Sequence, residues 1–231
     1  MIMSNISQDG NGWWDAAQPY SDDTARFFNT TNWLASLTTI STFSKSHPSV
    51  IGMSLRNELR PNLLQDNKKD WYTYVTLGAK QIHASNPDLL IIIGGTRSSA
   101  DLRNLFDNPL DTSAWPNKTV WEFHAYWWTY PIVSGFCPAF DSLTGFYAGF
   151  LLEQGKRYTG PLWLSEFGVG MTGGPNDGLS DVENNYLKCL GNYMRNNDAE
   201  CKFSLPEDEI EDATVLTCIR GVLGYAGELL C

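Results

Sequence analysis

The sequence predicts an α/β fold built on a parallel sheet. Three observations carry that prediction. Strand-like and helix-like segments alternate along the chain, the order that yields strand–helix–strand units. Leu89-Leu90-Ile91-Ile92-Ile93, stopped by Gly94-Gly95, is a continuous apolar run of the kind found in strands buried on both faces. Two more strand-like runs, at 50–55 and 161–165, each lead out to a glutamate, Glu58 and Glu166. A carboxylate just past the end of a buried strand stands on the rim where parallel α/β barrels build their active sites.

The elements follow in order. Residues 1–7 read as the tail of a strand and Asn11-Gly12-Trp13-Trp14 as a loop. Between 22 and 45, Trp33, Leu37, Ile40 and Ser44 recur at helical spacing with polar residues between them, which predicts an amphipathic helix. His47-Pro48 ends it, because proline disfavours helix in the residue before it. After the strand at 50–55, Trp71, Tyr74, Val75, Gly78, Ala79 and Ile82 trace one face of a second helix. The run at 89–93 is the third strand, 120–123 a short fourth ending on His124, 140–154 a helix and 161–165 a fifth strand. Ser180-Asp181-Val182-Glu183 has the form of a capping box, opening a helix with Val182, Tyr186, Leu190 and Tyr193 on one face. Residues 1–200 thus form one unit. The remainder, 201–231, holds the acidic stretch 206–212, read as a solvated loop, and a final segment with amphipathic-helix character but no strand.

Composition narrows the function classes. Hydrophobic residues make up 42% of the 231, an ordinary globular share. The net charge of −10 argues against a nucleic-acid partner, which requires a basic face, and no segment approaches the roughly 20 apolar residues of a membrane span. The five cysteines have no metal-ligand spacing, and the three histidines, His47, His83 and His124, are dispersed, so no metal and no cofactor is expected. Met1-Ile2-Met3-Ser4 does not open a signal peptide, and three sequons, at Asn5, Asn29 and Asn117, support secretion only weakly. Nine tryptophans are a rich supply of flat rings, suited both to a bulky core and to stacking on sugar faces.

Two carboxylates from different strands, facing each other across one pocket, are the minimum machinery for breaking a glycosidic bond. The residues around these two carry a family resemblance. Arg56-Asn57-Glu58-Leu59 resembles the Asn-Glu signature of glycoside hydrolase family 5, the group of many cellulases and mannanases. Phe123-His124-Ala125-Tyr126 resembles that family's His-x-Tyr, and Trp163-Leu164-Ser165-Glu166-Phe167-Gly168 its nucleophile strand. The three motifs stand in the family's order over most of the chain.

The resemblance implies a (β/α)8 barrel of the TIM-barrel type, incomplete here, with about five strands corresponding to the third to seventh. Strands one and two would precede Met1, and the tryptophan usual on strand eight is missing, as is the histidine usual after the strand-three asparagine, since Ile6 follows Asn5. These departures give the expectation of a fragment of a longer or differently spliced product. The resemblance further implies retaining hydrolysis of a β-linked glycan, β-1,4-glucan first, by an extracellular enzyme. Glu166 would be the nucleophile and Glu58 the acid/base, kept protonated by the charge of its neighbour. Asn57 would bond the sugar 2-hydroxyl, His124 and Tyr126 would line the subsite with Tyr126 donating to Glu166, and Trp127 and Trp14 would be sugar platforms. Adjacent rings in Trp127-Trp128 and Trp13-Trp14 point in different directions, so at most one of each pair meets substrate. Arg97 reads as a surface residue. The runner-up is a non-catalytic sugar-binding remnant or an inactive fragment.

Overall fold

The computed structural model describes residues 2–3, 30–58, 68–129, 136–171, 173 and 178–197. Trp13, Trp14, Asn5 and the segment 201–231 lie outside these residues. Five parallel strands form one sheet in chain order: β1 (Ile2–Met3), β2 (Gly52–Ser54), β3 (Leu90–Gly94), β4 (Thr119–Tyr126) and β5 (Leu162–Gly168). This is the incomplete (β/α)8 arrangement the sequence predicts. β2 to β5 lie within three residues of their expected bounds, β4 continuing through His124 and Ala125 to Tyr126 and β5 through Glu166 and Phe167 to Gly168.

The helices that pack on the sheet are α1 (Thr30–Ser44), α2 (Lys68–Ser85), α5 (Cys137–Tyr147) and α6 (Asp181–Asn196). Two short pieces, α3 (Thr96–Ser99) and α4 (Asn104–Asp107), follow β3. The apolar core joins Met53, Ile91, Ile93, Trp121, Phe123 and Leu164 of the strands to Leu37, Trp71, Val75, Ile82, Tyr186 and Leu190 of the helices. Two tryptophans tie helix to sheet with a hydrogen bond as well as a ring: Trp33 Nε1 donates to the Leu55 carbonyl at 3.1 Å, and Trp71 Nε1 to that of Gly94 at 3.0 Å. Gly78 is the residue that lets α2 approach α1, since a Cβ there would lie 2.6 Å from the Trp33 ring.

Two details depart from the sequence reading, and a third lies beyond it. The helix expected over 140–154 breaks at Ala148 and continues as a 3₁₀ turn, Gly149–Leu152, packed so closely on α6 that a side chain at Gly149 would collide with the Tyr193 hydroxyl. The buried stripe of α6 runs through Glu183, Tyr186, Leu187 and Leu190, leaving Val182 exposed at its border. Glu183 takes the inward place because its carboxylate accepts from the Ser180 amide at 2.8 Å and the Ser180 hydroxyl at 2.9 Å, completing the predicted capping box. Third, Arg97, Ser98 and Ser99 all have left-handed φ values, 52°, 59° and 58°. Such residues cost roughly 1–2 kcal/mol each. The turn is held by paired backbone hydrogen bonds between Thr96 and Asp101 at 2.8 and 3.1 Å.

Cys137 and Cys189 form a disulfide that joins the first turn of α5 to α6. Among the described residues no helix is long and apolar enough to cross a membrane.

Candidate active site

Strand alternation sorts the side chains of β4. Trp121, Phe123 and Ala125 enter the apolar core, which sends Glu122, His124 and Tyr126 to the opposite face of the sheet. On β5, Leu162 and Leu164 likewise enter the core. Strict alternation would then place Glu166 on their side, among the hydrophobics. The register shows why it is not there: Trp121 pairs with Leu162 and Phe123 with Leu164, but His124 pairs with Glu166. Ser165 is the extra residue of a β-bulge. That one-residue slip turns Glu166 over to the face of His124.

Four side chains meet there. His124 Nδ1 lies 3.3 Å from Glu58 Oε1 and 3.4 Å from Glu166 Oε2. Tyr126 donates its hydroxyl to Glu166 Oε2 at 2.9 Å. One oxygen of each glutamate and one nitrogen of His124 all lie within 4.8 Å of one another. Glu58 and His124 are buried, while the Glu166 side chain is 38% exposed, so one carboxylate is open to a ligand and the other sheltered. Glu58 has φ 38°, a left-handed conformation rarely taken by a side-chain-bearing residue. Strain of this kind, of order 1–3 kcal/mol, concentrates at functional sites.

Burial alone would lower the pKa of His124, but the adjoining carboxylates of Glu122 and Glu58 and the charge of Glu166 outweigh it and raise the value to about 9. Burial, the bond to Glu166 and the charges of Glu166 and Glu58 raise the pKa of Tyr126, so it remains a phenol and a donor. Arg56, buried just before the Asn57-Glu58 pair, has its pKa lowered by burial to about 10 and keeps its charge at neutral pH.

The predicted residues Glu58, Glu166, His124 and Tyr126 are therefore brought together. Asn57, half-buried, immediately precedes Glu58. Trp127 is half-buried against the core, whereas Trp128 is 53% exposed and stacks on Tyr126 with ring centroids 4.6 Å apart and planes 15° apart. Arg97 is on the surface as expected, its guanidinium 5.6 Å from the Tyr147 ring centroid and 4.0 Å from Asp101. The sequence reading passed over Glu122 and Ser54. Glu122 is 5% exposed, accepts from the Ser54 hydroxyl at 3.0 Å, and its Oε1 faces His124 Nε2 at 3.9 Å. Its signal was the two-residue period Glu122, His124, Tyr126 on one strand.

The family model for cellulase (glycosyl hydrolase family 5) matches residues 3–204. The chain belongs to glycosyl hydrolase family 5. A family 5 protein of Chamaecyparis obtusa is 30% identical over 196 residues, covering 83% of this chain but only 32% of that relative. The catalytic domain of the major endoglucanase of Xanthomonas campestris pv. campestris superposes with a TM-score of 0.65 at 19% identity, covering 85% of this chain and 57% of that one. A beta-glucanase of Saccharophagus degradans, in complex with cellotetraose, superposes at 0.64 and 17% identity, covering 86% and 56%. The family 5 chain thus spans about a third of its curated relative and little more than half of these structures, with the same fold over the shared part.

Proposed function

We propose that this family 5 chain carries the catalytic dyad of a retaining β-glycan hydrolase. The observation that carries the reading is the close approach of Glu58 and Glu166, with carboxylate oxygens within 4.8 Å. Retaining glycosidases hold their carboxyl groups about 5–5.5 Å apart, whereas inverting ones need about 6.5–9.5 Å to admit a water between them. Glu166, open to the cleft and steadied by Tyr126, attacks the anomeric carbon. Glu58 gives its proton to the departing glycosidic oxygen as that bond breaks. In the second half, Glu58 takes a proton from water, whose oxygen displaces Glu166 from the sugar, and both carboxyl groups are restored.

A neutral β-glucan, β-1,4-linked first, fits an acidic chain rich in tryptophan. Asn57 faces the sugar 2-hydroxyl, and His124, buried with both ring nitrogens toward carboxylates, backs the subsite from behind them. In the Trp127-Trp128 pair the exposed ring, Trp128, backed by Tyr126, is the stacking platform, and Trp127 packs against the core. Trp128→Ala should raise KM for cellotetraose about tenfold, the loss of roughly 1.4 kcal/mol of ring stacking, while leaving a short aryl glucoside within about twofold. Equal losses on both substrates would remove Trp128 from the binding surface. The disulfide between Cys137 and Cys189 supports an oxidising, extracellular setting.

Trapping tests the mechanism directly. Incubation with an activated 2-fluoro-β-glucoside should leave one covalent sugar on the peptide containing Glu166. Turnover of β-glucan without any trapped sugar on that peptide would overturn the assignment.

A further inference from the structure

His124 faces a carboxylate at each ring nitrogen, Glu58 and Glu166 at Nδ1 and Glu122 at Nε2. A neutral imidazole protonates only one nitrogen and leaves a lone pair on the other. A neutral ring would therefore point a lone pair either at the ionised Glu166, from Nδ1, or at Glu122, from Nε2. The arrangement is complementary to the imidazolium, which presents N–H on both sides. Glu58 and Glu166 already account for Nδ1–H; the second proton is the business of Glu122.

We propose that Glu122 is a positioning residue, the buried counter-ion that holds His124 as an imidazolium with Nδ1 turned toward Glu58 and Glu166. This rests on the proposed hydrolase mechanism for its consequence, but not for its geometry. Glu122 is buried on the strand that carries His124, two residues before it. The Ser54 hydroxyl, from β2 across the sheet, ties Oε2 at 3.0 Å and leaves Oε1 turned to the ring. A buried carboxylate is costly unless it is paired and hydrogen-bonded, and these two partners supply that compensation. The charged groups facing the ring are Glu122 on β4, Glu58 after β2 and Glu166 on β5, the last also held by the Tyr126 hydroxyl.

The imidazolium places a positive charge beside Glu166, while the negative charge of Glu166 is what keeps Glu58 protonated. The imidazolium favours the ionised nucleophile before attack, and favours Glu166 again as the carboxylate released from the sugar in the second step. Its raised pKa gives the sign of the pH effect. The charge is present at neutral pH and is lost as the pH rises through about 9.

The test is an imidazole nitrogen NMR titration of the 231-residue chain, assigned with His47→Gln and His83→Gln, alongside the pH profile of kcat. In the wild type both His124 nitrogens should be protonated at pH 7. In Glu122→Gln the His124 midpoint should fall by about one pH unit or more, and the alkaline limb of kcat should fall with it while KM changes little. Ser54→Ala, which removes only the anchor of Glu122, should move both in the same direction by less, and serves if the first variant does not fold. A neutral His124 in the wild type at pH 7, or an unmoved midpoint in either folded variant, would overturn the proposal. A midpoint that moves in a chain without any turnover would leave the role of Glu122 toward His124 standing and remove the hydrolase reading instead.

Discussion

Glu166→Gln is expected to lower kcat about ten-thousand-fold or more while leaving the fold intact, the scale seen when a covalent nucleophile is removed. The substitution exchanges one oxygen for an amide nitrogen of nearly equal size. The remaining carbonyl can still accept from Tyr126, and β5 keeps its pairing with β4, so thermal unfolding should change little. What is lost is the charge that attacks the anomeric carbon in the proposed mechanism. The 2-fluoro sugar should no longer attach to the 166 peptide. Glu166→Ala adds a sharper test, because it opens space beside the anomeric carbon. A small anion such as azide should restore part of the turnover on an activated β-glucoside, and a single displacement must give the α-azide. Formation of the β-azide, or wild-type turnover in either variant, would end the assignment of Glu166.

The sequence made Glu166 legible by its motif and would have misplaced it by its periodicity. Reading Leu162, Leu164 and Glu166 at a period of two puts the carboxylate in the helix-facing core. Only the bulge at Ser165 turns it inward, and no glycine or proline announces that bulge. A one-residue irregularity is set by pairing with a neighbouring strand, which local composition does not encode. The apolar faces of α1 and α2 were readable because burial repeats along each helix. Glu122 was readable in the same way, from its alternation with His124 and Tyr126, but a single buried acid draws attention only once its partner on β2, Ser54, is known. The left-handed run Arg97-Ser98-Ser99 carries no sequence mark at all, since such conformations usually select glycine or asparagine. Its causes are the backbone pairing of Thr96 with Asp101 and a tertiary clamp in which the Arg103 guanidinium stacks on Tyr147, 4.3 Å from the ring centroid, while bonding Asp101.

The disulfide was beyond the sequence for a different reason: five cysteines allow many pairings, and only the packing of α5 on α6 brings Cys137 and Cys189 to a Cα separation of 4.8 Å. Its effect on stability should be the largest of any single covalent change in the described part of the chain. It closes a segment of 52 residues, for which chain-entropy reasoning gives about 4 kcal/mol of stabilisation at 25 °C. For a chain of this size that corresponds to a fall in Tm of roughly 8–16 °C when the bond is lost. Cys137→Ala with Cys189→Ala should show this fall in a thermal melt, and the reduced wild type should show a similar one. Alanine is preferred to serine at 189, where the side chain is fully buried and a hydroxyl would need a partner. The helices retain other contacts, including the edge-to-face pair Phe140–Tyr186 at 5.5 Å, so α5 and α6 should remain helical by circular dichroism at 25 °C. Turnover at that temperature should stay close to the wild-type rate, because Glu166 is placed by the register of β5 on β4 and not by this staple. Equal Tm values with and without reductant would show that Cys137 and Cys189 are not joined in solution. A fall in kcat at 25 °C matching the fall in stability would show instead that α6 helps to hold the end of β5 on which the nucleophile stands.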